Sequence, residues 1–370
     1  MIYLDYSANT PVDPAVLEAF CKAEQTYIGN PNSTHCAGRT ACEEMARVTD
    51  HIAGLLGVEP AGIIYTSGAN NLAIKGIAQA SRNTGRHMIS TVLEHASVGG
   101  TLTALQQQGW EVDLLDIQRD GTIDLEQLGD LLRKDTILVS VCAVDSELGT
   151  VQPIRQITEI LKDFPNCRLH VDATQAIGKT ELVMDGVDTM SIAPHKFYGL
   201  NGSGLLLKKS SVIIEPQIHG GSSTTLYRSG TPALALAVSI EKALQLTLTQ
   251  QEERIRCVRQ LNEYLKTALL HYPSVRINSP EGAVPHILNL SVQGLKGTVF
   301  QRVLSERGVC VSVKSACSAE GTPSKAVFAV SGDRKNALSS WRVSLSHLTT
   351  REELDEFLQV FDQCYKELVP

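Results

Sequence analysis

The feature that most restricts the fold of this chain is an alternation of two periods through about its first 210 residues. Short β-rich runs are Ile63-Ile64-Tyr65-Thr66, His87-Met88-Ile89-Ser90, Val112-Asp113-Leu114-Leu115, Ile137 to Val141 and Arg168-Leu169-His170-Val171. Between them lie helix-period stretches: Leu72 to Ser81, Leu102 to Gln108, Leu125 to Arg133 and Ile154 to Phe164. Strands joined by helical crossovers predict an α/β fold, a mostly parallel sheet with helices on both faces. A long helical region is predicted from Pro232 to about Tyr272, with Pro232 suited to a first-turn position.

After Pro273 the pattern changes. Strand-like Ile287-Leu288-Asn289-Leu290, a helix from Thr298 to Glu306, strands at Val309 to Val313 and Trp341 to Leu345, and a closing helix from Arg351 to Leu368 predict a smaller α+β unit. The expected division is a large domain over 13–255 and a small one built from 1–12 and 256–370. Ser318 to Ser340, rich in Gly, Ser and Pro, reads as a long mobile loop.

Composition narrows the function. The 370 residues are 43% apolar and 20% charged, which suits a globular protein with a sizeable core. A net charge of −7 without a basic run argues against nucleic acid. No apolar run reaches the roughly 20 residues that cross a bilayer, and the start lacks a basic-then-apolar leader, so the expected location is the cytoplasm. Nine cysteines with no CxxC pair point away from zinc and from a disulfide framework.

Three clusters carry candidate chemistry, each at an expected strand end. They are His170-Val171-Asp172-Ala173-Thr174-Gln175, then Ser191 to Gly199 with His195-Lys196, and Arg228-Ser229-Gly230-Thr231-Pro232. Alone, each has a plainer reading: a helix-capping aspartate, a solvated lysine, a capped turn. Together they suit a pyridoxal 5'-phosphate (PLP) site, where a lysine holds the cofactor and a carboxylate faces its ring nitrogen.

The order of these motifs resembles the class V aminotransferases, specifically the NifS/IscS-type cysteine desulfurases. The resemblance extends through Tyr3 to Pro11, Gly29 to His35, Thr66 to Ala69, Leu72 to Gly76, Glu94-His95, Val171 to Gln175, His195-Lys196, His219-Gly220-Gly221, Arg228 to Thr231, Ser315 to Ser318 and Arg342 to Leu345. It implies the PLP-dependent transferase fold type I. It also implies that Lys196 binds PLP covalently, Asp172 pairs with the ring nitrogen, and Gln175 and Ser146 lie near the phenolic oxygen. His95 would stack on the ring and shuttle protons. Gly68, Ala69 and His195 would contact the phosphate, Thr231 would reach the phosphate of a neighbouring subunit in a homodimer, and Arg342 with Asn32 would bind the substrate. Cys317, flanked by Ala316 and Ser318, would accept sulfur from L-cysteine as a persulfide and pass it to an acceptor protein. The same scaffold would also serve a selenocysteine lyase or cysteine sulfinate desulfinase, or a divergent paralogue that binds PLP poorly and acts as a sulfur-transfer partner.

The chain departs from the family pattern at the phosphate end. Three residues after Ala69, a threonine among them, are missing, the usual serine two before His195 is Ala193, and Pro194 replaces a small residue. Ser146 stands where the family has asparagine, and Ser222-Ser223-Thr224 where it has Gly-Gln-Glu. Each lost donor to the phosphate dianion costs about 1.5–3 kcal/mol, so PLP retention is expected to be weaker than in relatives.

Overall fold

The computed structural model describes residues 1–221, 226–314 and 321–369. Cys317 and Ser222 to Thr224 lie outside the described residues. The strands are β1 (Ile2–Tyr3), β2 (Ile63–Tyr65), β3 (His87–Thr91), β4 (Glu111–Leu115), β5 (Thr136–Cys142), β6 (Arg168–Asp172), β7 (Thr189–Ile192), β8 (Leu205–Lys208), β9 (Val275–Ile277), β10 (Ile287–Val292), β11 (Val309–Cys310) and β12 (Ser340–Ser344).

Seven of them form one sheet in the order β2-β8-β7-β6-β5-β3-β4. Pairs β3–β4, β3–β5, β5–β6 and β6–β7 are parallel, while β8 runs antiparallel to both neighbours. Parallel pairing needs a crossover of a dozen or more residues, usually helical. The link from Ile192 to Leu205 holds only the single 3-10 turn Pro194–Lys196, so the chain reverses there and returns beside β7. Every residue of β5 and β7 is buried, as helix-covered strands require. Apolar clusters fill both faces, one around Val139, Val171 and Ile240, the other around Ile74, Met88 and Leu138.

A third cluster gathers Trp341, Phe300, Phe357 and Phe361 with Ile2 and Leu4 from the chain start. It lies with the antiparallel sheet β12-β10-β9 and the pair β1–β11. Main-chain bonding from Ser344 N to Leu4 O at 2.8 Å ties the N-terminal segment to β12. The closing helix, Arg351–Leu368, starts with a capping box between Thr350 and Glu353.

Two expectations are corrected. Residues 325–339 are not a long loop but two short helices, Lys325–Ser331 and Arg334–Ser339, hinged at Gly332 in the left-handed region. Ser324 and Asp333 cap them, and Ala326, Val327 and Ala337 are buried against Leu93, Cys142 and Leu148. That tertiary burial overrides a loop-like composition. The region after Pro232 is two helices, Leu234–Thr249 and Gln251–Leu269, joined at Gln250. Pro232 precedes the Ala233 N-cap and so lies outside the first turn. Among the described residues no helix is long and apolar enough to cross a membrane.

Candidate active site

Ligands of parallel α/β sheets bind beyond the carboxyl ends of the strands, and a cavity of about 470 Å³ opens there. Strand β6 ends on Asp172, which pairs with Cys142 on β5 and Ser191 on β7. Strand β3 leads into Glu94-His95, and β7 into Ala193 to Lys196. The cavity is lined by Gly68, Ala69, His95, Ser146, Asp172, Gln175, His195, Lys196 and Arg342, which the fold brings together from across the sequence. Asn32 and Thr231 are exposed and do not line it. Thus a single chain does not bring Asn32, on the turn ahead of the helix Cys36–Leu56, to the expected substrate site.

Lys196 sits at the end of the 3-10 turn, and its Nζ donates to Ser7 O at 2.8 Å and Ala8 O at 2.6 Å. Tyr198, just beyond, is the one non-glycine residue with positive φ (68°) among the described residues. Its N–H donates to Thr10 Oγ1 at 2.7 Å, and its hydroxyl meets Ser346 Oγ at 2.6 Å. Such strain persists only where surrounding contacts hold it, as these do behind the lysine. Gly204 completes the turn, because a Cβ there would meet Thr66 O at 2.9 Å and Ile192 O at 3.0 Å.

Asp172 is held by a buried relay that sequence reasoning missed. Thr174 N donates to its Oδ1 at 3.0 Å, and Asn70 Nδ2 donates to its Oδ2 at 2.8 Å. Asn70 Oδ1 accepts from His170 Nε2 at 2.9 Å and from Ser191 Oγ. His170 Nδ1 lies 2.9 Å from Thr189 Oγ1. Burial lowers His170 to about 4, so the ring is neutral. With its proton on Nε2 it meets only the oxygen of Asn70, leaving the amide hydrogens for Asp172 and for Ser97 Oγ at 2.9 Å. The one available signal was polar residues in a strand otherwise fully buried.

The remaining groups are partly committed. Gln175 Nε2 donates to Ser7 O at 2.9 Å, and its Oε1 accepts from Lys179 Nζ at 2.5 Å. His95 caps the helix Ala96–Gln106, its Nδ1 accepting from Ser97 N at 3.2 Å, which puts the proton of the neutral ring on Nε2. Burial and the Lys196 charge lower His195 to about 4. Arg342, 2% exposed, donates through Nη1 to Ser146 O at 2.7 Å and through Nη2 to Asp5 Oδ1 at 2.8 Å. Its Nε is buried without a partner. Beside His95, Glu94 Oε1 accepts from Thr91 Oγ1 and Cys142 N, each at 2.9 Å, and burial raises this carboxyl to about 8.

These residues fit the implied cofactor. A cavity of this size lies within the usual range for small-molecule sites, with a lysine amine and a buried carboxylate on its walls. At the other end the helix Ala69–Ala80 starts directly after Gly68 with no side-chain cap. Its first residues line the cavity, and its first-turn amides would suit a phosphate there in the ordinary helix-terminus way.

The full chain has matching relatives. The NifS/IcsS protein homolog of Lactobacillus delbrueckii subsp. bulgaricus is 38% identical over 375 residues, covering 99% of this chain and 97% of the relative. The cysteine desulfurase IscS of Dictyoglomus turgidum is 34% identical, over 99% and 95%. A solved NifS-like protein superposes with a TM-score of 0.93 at 32% identity, covering 99% of this chain and all of that one. The aminotransferase class-V model matches residues 2–357. A lysine and an aspartate at adjacent strand ends, in this topology and in such company, make the chain a member of the aminotransferase class-V family.

Proposed function

We propose that this chain is a cysteine desulfurase that binds PLP, takes sulfur from L-cysteine and leaves alanine, carrying the sulfur as a persulfide on Cys317 for an acceptor protein. The observation that carries the reading is the meeting of Lys196, Asp172 and Arg342 on one cavity wall set, in a chain whose relatives include a named cysteine desulfurase.

Lys196, Asp172, Gln175, His95 and Ser146 would hold the cofactor, with Gly68, Ala69 and His195 at its phosphate. Thr231, exposed and away from its own cavity, suits a homodimer in which it serves the neighbouring site. When bound, PLP supplies an electron sink that weakens the substrate's Cβ–S bond. Arg342 binds the substrate carboxylate through its planar fork, competing with Asp5. His95 holds a movable proton on Nε2. Sulfur transfer balances when the Cys317 thiolate attacks the substrate sulfur: an S–S bond forms, the Cβ–S bond breaks with its electron pair on the carbon side, and a proton at that carbon completes alanine.

Mass spectrometry of Cys317 after exposure to L-cysteine tests this directly; one added sulfur is expected. Alanine release from cysteine, selenocysteine and cysteine sulfinate by wild type and Cys317→Ala completes the test. Loss on cysteine alone supports a desulfurase. Unchanged release from cysteine by the variant overturns the role of Cys317.

A further inference from the structure

Behind Lys196 lies a second cavity of about 20 Å³, and Ser7 and Lys196 line both. Its wall carries Lys179, Lys196, Arg254, His286 and His347, and among the described residues no aspartate or glutamate. Three buried polar atoms on this wall have no partner: Arg254 Nη1, His286 Nδ1 and Ser7 Oγ. Arg254 is 7% exposed and His286 6%.

The rest of Arg254 is committed to neutral groups. Its Nε and Nη2 donate to Gln250 Oε1 at 3.1 and 2.7 Å, and its guanidinium carbon stands 5.0 Å from the Tyr198 ring centre. Asp13, the carboxylate felt at both Arg254 and His347, does not line the cavity and accepts instead from Ala15 N at 2.9 Å. Lys179 Nζ bonds Gln175. Burial, with repulsion from Lys196 and Arg342, brings Lys179 down to about 7, and burial, with Lys179 and His347, pushes His286 well below its usual range. Those two groups can shed their charge. Arginine cannot, and a buried charge without a counter-charge is costly.

A water in this space would satisfy the unpartnered donors and leave the Arg254 charge with only Asp13, outside the cavity wall and not ion-paired to it, as counter-charge. A monatomic anion answers both. The space exceeds the roughly 10–15 Å³ that one water needs and is too small for a carboxylate or phosphate ligand. We propose that this cavity is a binding site for one chloride-sized anion, held by Arg254 Nη1, by His286 through a proton on Nδ1, and by the Ser7 hydroxyl. An anion here adds negative potential directly behind Lys196.

The test uses PLP-loaded enzyme crystallised without halide and soaked in bromide. Anomalous diffraction at the bromine edge should show a peak within hydrogen-bonding distance of Arg254 Nη1 and His286 Nδ1. Ordinary density for water there without an anomalous signal overturns the site. In solution, replacing gluconate with chloride should raise the thermal midpoint of the holoenzyme with saturation below about 100 mM. Arg254→Met and His286→Phe should each raise the half-saturating concentration at least tenfold. A bromide peak with no chloride dependence in solution means binding at crystal concentration only and also overturns the proposal. If Arg254→Met fails to fold, the wild-type map and His286→Phe still decide. None of these readouts depends on which substrate the enzyme uses.

Discussion

The relay behind Asp172 in the front cavity and the cavity behind Lys196, joined through Lys196 and Ser7, treat buried polarity in opposite ways. In front, Asp172 ends a relay of Thr189, His170, Asn70 and Ser191 in which each donor meets an acceptor. Behind, three polar atoms are left open around an arginine. A closed relay admits one proton arrangement and so presents a fixed face to a ligand, whereas an open cluster of donors presents a demand for charge. The Asp172 wall of the front cavity is organised before anything enters it, whereas Arg342 Nε on the same cavity and the donors of the rear one stay open to what enters.

The largest effect that would break this contrast lies on the shared wall. Lys196→Ala should lower alanine release from cysteine roughly a thousandfold or more, with the far-UV circular dichroism unchanged. Activity within tenfold of wild type would remove the front cavity from the chemistry. Next, Asp172→Asn should cost on the order of 10²–10³ in rate, since an amide loses the charge and turns a donor toward either Asn70 Nδ2 or Thr174 N. Asn70→Ala probes the relay itself: it strands Asp172 Oδ2 and His170 Nε2, and should destabilise the fold by about 1–3 kcal/mol in urea unfolding. Asn71→Ala, losing only a 3.5 Å bond to Ser97 O, should cost far less, and equal losses would show that the relay carries no special weight. Ala193→Ser restores a hydroxyl at the phosphate end, and should slow PLP loss on dialysis about tenfold, roughly 1.4 kcal/mol.

The smallest effect concerns Glu94, whose Oε2 is buried without a partner. Its folded pKa of about 8 lies above its ordinary value of 4.5. The folded state therefore holds the proton more tightly, and this stabilisation is present below pH about 4.5 and lost as pH rises through 8. Glu94→Gln should flatten that decline in denaturation midpoints between pH 5 and 8. An unchanged slope would place the proton elsewhere.

The strands around Ile63, His87, Ile137 and Arg168 were legible because burial of a strand imposes an apolar run, and burial of a helix face a 3.6 period, on neighbouring residues. Asp172 and Lys196 were legible as polar residues at the ends of such runs. The helices over 325–339 were not, since Gly321, Pro323 and Ser324 just before them and Ser331-Gly332 between them read as loop punctuation, and the apolar partners that bury Ala326 and Ala337 lie near residues 93, 142 and 148. Asn70 likewise opens a helix and carries no local sign of the aspartate 102 positions away.

Local order of polar and apolar residues thus determined the parallel sheet, the ends where chemistry sits and the motifs that place the chain in its family. Tertiary structure alone decided which amide orients Asp172, that Asp5 already occupies Arg342, and that Arg254 and His286 converge behind the lysine. The reason is range. Periodicity arises from the chain's own geometry over a few residues, while charge compensation and hydrogen-bond closure depend on atoms that become neighbours only after the chain has folded.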